Sequence, residues 1–300
     1  MSRRRWVLVA ASCAVLALAV VILFVAAPWR SEPIAAPPPA ATHATSAPAP
    51  TPTPTEQPTP PQSSQAALAA VPLAFFDAAI AALPDPATLH PATAWQVATP
   101  RAPLVGLYAS PGAASPVIAA LGSTVPTINR PTAVAVYGTE GGMILISTPS
   151  RRTVPGSGAP SAPSATFAWA RAADFILTPI DRIVEVDNAT STVSIVTREG
   201  ALVASEKARL GTPTDPTPAA TSTYMEANYV DPRVTYTDGN PISLTGAHSS
   251  LLPGFGGNSA LTALHYYPDP TGSSHGCVRV SAAMTRALAK LPVGTPIVFS

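Results

Sequence analysis

The chain has 300 residues, with 17 basic and 16 acidic side chains and a net charge of +1. That balance gives no broad field for holding nucleic acid or an anionic surface, so no nucleic-acid partner is expected. The 37 prolines are more than twice average usage, and two cysteines permit one disulfide at most, which excludes a disulfide scaffold.

Arg3, Arg4 and Arg5 precede an uncharged run from Trp6 to Trp29. As a helix that run spans roughly 36 Å, enough for a hydrocarbon core of ~30 Å. With a mean hydropathy of +0.26, residues 1–30 are expected to be a cytoplasmic tip and a single-pass anchor, the head lying outside the cytoplasm. A cleaved signal peptide is the rival reading, but Ala26-Ala27-Pro28 is a poor cleavage site. Cys13, inside the run, reads as a buried apolar residue. Residues 31–65 are rich in Pro, Ala and Thr, with no large apolar residue after Ile34. They are expected to form an extended linker that can reach on the order of 100 Å. His43 lies in it and reads as solvated.

A helix plus a small β module is expected over 66–180. Residues 66–83 carry apolar positions at helical spacing, closed by Pro84 and Pro86. Strand signals follow from Val105 to Ser110. Ala133–Tyr137 and Met143–Ile146 flank Gly138–Gly142, which reads as a hairpin loop. Residues 151–164 are polar and rich in Pro, Gly and Ser, so they read as a loop. Short strands at this spacing suggest a small β-barrel. It holds no reactive cluster and is assigned a spacing or recognition role.

A second β-rich region spans 181–300. Ile183–Val186 and Thr192–Val196 alternate apolar and polar residues around Asp187-Asn188, a hairpin signal. Residues 211–218 form a long turn. Ser281 is an N-cap for a helix closed by Pro292 and Gly294, and Pro296–Phe299 is a final strand.

The chemistry sits just before that helix, in Ser274-His275-Gly276-Cys277-Val278-Arg279. Cys277 is the only cysteine after Ala66, so it is either an inert core residue or a retained nucleophile. Gly276 allows a tight turn and close substrate approach. The amides of His275, Gly276 and Cys277 are candidates for an oxyanion site. A thiol needs a base, since its free pKa near ~8.5 leaves little thiolate. His265, after the apolar run Ala260–Leu264, stands at a strand end and is the best base. His275 is read as extended and turned from the thiol, and His248 as a solvated loop residue held in reserve. One cysteine and these histidines lack familiar zinc spacing, so no metal or cofactor is expected.

The hexapeptide resembles the signature of the L,D-transpeptidase (YkuD-type) catalytic domain. Ile183–Asp187 resembles that family's opening strand, Gly211-Thr212-Pro213 with Pro216–Pro218 its turn, and Leu291–Val298 its closing segment. The β region before it is similar to a module found in actinobacterial, membrane-anchored members. The resemblance implies a mostly β fold: a β-sandwich catalytic domain with a short helix after the cysteine, preceded by an SH3-like module. It implies a peptidoglycan transpeptidase in which Cys277 attacks a donor tetrapeptide stem, releases D-alanine and forms a thioester. An acceptor stem then gives a 3→3 cross-link. His265 would be the base, oriented by the Tyr266 carbonyl, Ser274 would belong to the motif, and Arg279 and Tyr266 would face substrate. Carbapenem-type β-lactams would be covalent inhibitors. An L,D-carboxypeptidase and a non-catalytic wall-binding protein are the alternatives. Two features depart from the family. Eight residues separate His265 from Ser274, fewer than usual, and Tyr266 follows the histidine where glycine or serine is common.

Overall fold

The computed structural model describes residues 59–158, 161–254, 257–269 and 271–300. The expected span Trp6–Trp29, most of the linker and Cys13 lie outside them. The single-pass location requires correction: among the described residues no helix is long and apolar enough to cross a membrane.

The helix expected over 66–83 is one short turn of helix, α1 (Gln65–Ala69), capped by the Ser64 hydroxyl, which accepts from the Ala67 N–H at 3.2 Å. Pro72 explains the difference, because it has no N–H and its ring clashes with the preceding turn. The chain then opens into β1 (Leu73–Ala74) and a series of turns.

Nine further strands follow: β2 (Gln96–Pro100), β3 (Leu104–Tyr108), β4 (Val117–Gly122), β5 (Thr124–Val125), β6 (Arg130–Pro131), β7 (Val134–Glu140), β8 (Met143–Thr148), β9 (Thr166–Arg171) and β10 (Phe175–Pro179). Eight of the ten form one barrel-like sheet, ordered β1-β4-β3-β9-β8-β7-β2-β10, while β5 pairs only with β6. The β7–β8 hairpin is tighter than the sequence suggests. Glu140 pairs with Met143, so the loop is Gly141-Gly142 alone, and Gly141 takes φ +55°. Leu107, Val136, Ile146 and Phe167 fill the interior.

The second region continues with β11 (Arg182–Asp187), β12 (Thr192–Thr197), β13 (Leu202–Lys207), β14 (Thr221–Tyr229), β15 (Ile242–His248), β16 (Leu261–Tyr266), β17 (Val278–Val280), α2 (Ala282–Leu288) and β18 (Pro296–Phe299). The strand order is β13-β12-β11-β18-β14-β15-β16-β17. β14 belongs to both halves of this sheet. Thr221–Tyr224 pair with β18, Met225–Tyr229 pair with β15, and a bulge falls between Met225 and Ala227. A bulged strand that changes partner is how one sheet folds over into two layers. Val184, Val193, Leu264, Val278, Leu288 and Ile297 form the core between them.

The two sheet modules share an interface. The Tyr137 hydroxyl donates to the Thr223 carbonyl, and Tyr224 packs into the first module's core. Gly246 is required there, since a Cβ would lie 2.3 Å from the Tyr224 ring.

Candidate active site

Strand pairing brings the motif to the expected base. β16 and β17 run parallel, with Leu264 beside Val278 and His265 beside Arg279. Leu264 and Val278 are wholly buried in the core. Side chains alternate along a strand, so Ala263, His265, Cys277 and Arg279 share the other face. Cys277 is half-buried and free, with its Sγ 4.0 Å from the Leu261 carbonyl.

The His265 ring is buried and its Nδ1 is 2.9 Å from the Tyr266 carbonyl. A carbonyl only accepts, so in the neutral ring Nδ1 carries the proton and Nε2 keeps a lone pair. Burial lowers the His265 pKa from its ordinary 6.5; the Tyr266 hydrogen bond opposes this and nearby Arg279 adds to it. Burial raises the Cys277 thiol, with the Ala263 backbone and the Arg279 charge pulling the other way. The resting arrangement is therefore a neutral thiol and a neutral imidazole with an accepting nitrogen.

The motif loop is not extended. His275 and Gly276 both take left-handed φ, +53° and +83°. The Gly276 conformation favours glycine, and a Cβ there would sit 3.1 Å from the Pro216 carbonyl. Of the three expected oxyanion amides, two are already engaged. The His275 N–H donates to Ser273 Oγ at 3.0 Å, and the Cys277 N–H to the Ser274 carbonyl at 3.1 Å. The Gly276 N–H has no such partner among the described residues. Ser274 is buried, and its hydroxyl also lacks a partner among them.

His275 is corrected in conformation: its largely exposed ring turns to Asp215, with Nδ1 3.1 Å from Oδ2. Asp215 was not singled out in the sequence. It lies in the 211–218 turn and also accepts from the Ser273 and Thr212 hydroxyls. Burial raises its pKa, but those hydrogen bonds outweigh burial and hold the carboxyl below its ordinary range. The only sequence signal was an acid between prolines in a turn.

Arg279 is committed to the motif loop. Nη1 donates to the Thr271 carbonyl at 3.0 Å, Nη2 donates to the Ser273 carbonyl, and the guanidinium lies 4.0 Å over the Tyr267 ring. Tyr236 was also missed. It sits on a 3-10 turn, Thr235–Thr237, with its ring 5.5 Å from His265 and 5.4 Å from Tyr267. Burial first, and the Cys277 charge second, raise its pKa. A lone tyrosine in a polar loop carries no motif that could have flagged it.

His248 is not a solvated loop residue. It ends β15, is 1% exposed, and its Nε2 is 2.9 Å from the Phe76 carbonyl of the first module. Burial is the main cause of a pKa lowered to about 4. Among the described residues no cluster of three His, Cys, Asp or Glu could hold a metal.

Residues 181–299 match the YkuD family model, described as the L,D-transpeptidase catalytic domain. No curated protein matches the chain. Among solved structures, Bd1075 of Bdellovibrio bacteriovorus is 21% identical over 40% of this chain and 47% of its own, with a TM-score of 0.32. The Enterococcus faecium L,D-transpeptidase is 20% identical over 42% and 56%, with a TM-score of 0.26. L,D-transpeptidase 1 of Mycobacterium tuberculosis is 18% identical over 46% and 72%, with a TM-score of 0.29. The chain thus spans about half the length of the first two. The cysteine after its left-handed turn and the histidine on the neighbouring strand both fall within residues 181–299, the segment that matches the YkuD-type L,D-transpeptidase catalytic domain.

Proposed function

We propose that the chain is a cysteine-dependent L,D-transpeptidase acting on peptidoglycan stem peptides. The observation that carries this reading is the parallel pairing of β16, which bears His265, with β17, which begins directly after Cys277, and His265 Nδ1 fixed on the Tyr266 carbonyl.

The thiol proton passes to His265 Nε2, and the sulfur attacks the amide carbonyl of the third residue of a donor tetrapeptide. The developing oxyanion takes the Gly276 N–H. The C–N bond breaks, His265 returns its proton to the leaving amine, and D-alanine departs from a thioester. A side-chain amine of an acceptor stem attacks that thioester and gives its proton to His265. The thiolate leaves and is reprotonated, which forms a 3→3 link. Arg279 holds loop 271–273 beside the nucleophile, and Tyr236 and Tyr267 wall the approach to His265.

Intact mass after incubation with a carbapenem tests the nucleophile. One adduct is expected on the wild-type chain and none on Cys277→Ala. A wild-type chain with no adduct and no cross-linked product would count against the proposal. A wild-type chain without turnover, whose stem binding is unchanged in Cys277→Ala, would identify a wall-binding protein instead. With excess acceptor stem, a tripeptide product in place of the dimer would identify an L,D-carboxypeptidase.

A further inference from the structure

The chain between β15 and β16 is held by the first sheet module. Arg151, just past the end of β8, is wholly buried. Its backbone is fixed on both sides: the N–H donates to the Ala78 carbonyl at 2.9 Å, and the carbonyl accepts from the Ile80 N–H at 2.8 Å. Its guanidinium donates to four carbonyls of the other module. Nη1 reaches those of Pro253 (2.5 Å) and Asn258 (2.8 Å), and Nη2 those of Leu252 (2.8 Å) and Ser249. Burial lowers its pKa to about 10, which still leaves the group charged at neutral pH. Asp77, also in the first module, accepts from the Asn258 N–H at 2.5 Å.

These anchors lie directly upstream of the nucleophile's surroundings. Ala260 accepts from the Ser249 N–H at 2.8 Å, and β16 begins at the next residue. The Leu261 carbonyl then stands 4.0 Å from Cys277 Sγ, and the Ala263 backbone pulls the thiol's pKa down against burial.

We propose that Arg151 is a positioning residue for Cys277, acting through residues 249–254 and 257–260 on the start of β16. The first module, expected to be a spacer or a recognition unit, is then part of the machinery that sets the thiol's reactivity. A lysine cannot replace the planar fork that reaches four carbonyls at once.

The inference rests on Cys277 as the reactive group, and its test does not depend on which reaction follows. Alkylation of Cys277 by iodoacetamide, followed by the mass of the peptide that carries it, is measured against pH in the 300-residue chain. Moving the start of β16 away from the sulfur weakens the backbone influence at Ala263 that favours the thiolate. In Arg151→Met the alkylation midpoint is expected to move up by about one pH unit, with about a tenfold lower rate at pH 7. Arg151→Lys should lie closer to Arg151→Met than to wild type. A purely structural role would lower the melting temperature and leave the midpoint where it is. A folded Arg151→Met, checked by circular dichroism, with a wild-type midpoint overturns the proposal. Should Arg151→Met not fold, the same profile is read on Arg151→Lys, and a wild-type midpoint there overturns the proposal equally. Normal alkylation without a carbapenem adduct would sink the transpeptidase reading and leave this one standing.

Discussion

His265 is set up by one backbone atom. The carbonyl that fixes its Nδ1 belongs to the next residue, Tyr266, so no acidic third member is needed to choose the tautomer. His265→Gln keeps a polar side chain but cannot take the thiol proton. Its acylation rate by a carbapenem is expected to fall by about 10²–10⁴. Because burial lowers the His265 pKa, its base form persists below 6.5. The wild-type acylation rate, followed by stopped flow, should therefore hold on the acid side until the pH is below that value. A rate that already falls at pH 7 would contradict a neutral imidazole base. Cys277, His265 and Gly276 could be singled out as candidates because a lone cysteine beside glycine, with a histidine at a strand end, is a pattern that nucleophilic chemistry uses. Asp215 was not, since it meets His275 across 60 positions of chain through a fold the local pattern does not encode. Arg151 was hidden differently. A cation opening a Pro-, Gly- and Ser-rich stretch reads as solvated, and only tertiary packing buries it.

At the scale of elements, α2 shows how a short helix anchors a motif. Ser281 caps it: its Oγ accepts from the Met284 N–H at 3.1 Å and donates to Glu206 Oε2 at 2.6 Å. The Ser281 N–H donates to Glu206 Oε1 at 2.6 Å, tying the helix start, and β17 before it, to β13. Ser281→Ala loses the cap and one of the two Glu206 contacts. It is expected to cost about 1–2 kcal/mol, read as a lower urea midpoint at unchanged slope. This helix, β18 and the β11–β12 hairpin could be placed from sequence because capping residues, Pro/Gly punctuation and period-two alternation agree there. Residues 66–83 could not. Their alanine spacing suits a helix, but Pro72 stops it and turns follow.

The whole molecule carries two opposed pH dependences at the contact between modules. Glu226 sits at the β14 bulge, buried, with neither carboxylate oxygen partnered among the described residues, and burial raises its pKa to about 8. His248 is lowered to about 4. For Glu226, the unfolded chain releases its proton above its ordinary 4.5 while the folded chain keeps it, so stability falls from 4.5 to about 8. For His248, the unfolded chain takes up a proton below its ordinary 6.5 while the folded chain does not, so stability falls from 6.5 to about 4. The two slopes oppose each other between 4.5 and 6.5, and of this pair only the Glu226 slope continues from 6.5 to about 8. Thermal melts should show Glu226→Gln gaining on wild type as pH rises toward 8. An identical pH dependence in the two chains would rule out a protonated Glu226.

The position of β18 bears on how the molecule folds. This strand lies between β11 and β14, in the middle of its sheet, yet it comprises residues 296–299. β11 meets it across more than a hundred residues, with Val184 beside Ile297. During synthesis the β11–β13 meander would emerge with its inner edge unpaired and wait for nearly all the remaining chain. Pairing at such sequence separation carries a large loop-closure cost before any contact offsets it, which makes for a slow search. The meander's open inner edge is then a place where a wrong strand can join while the right one is still missing.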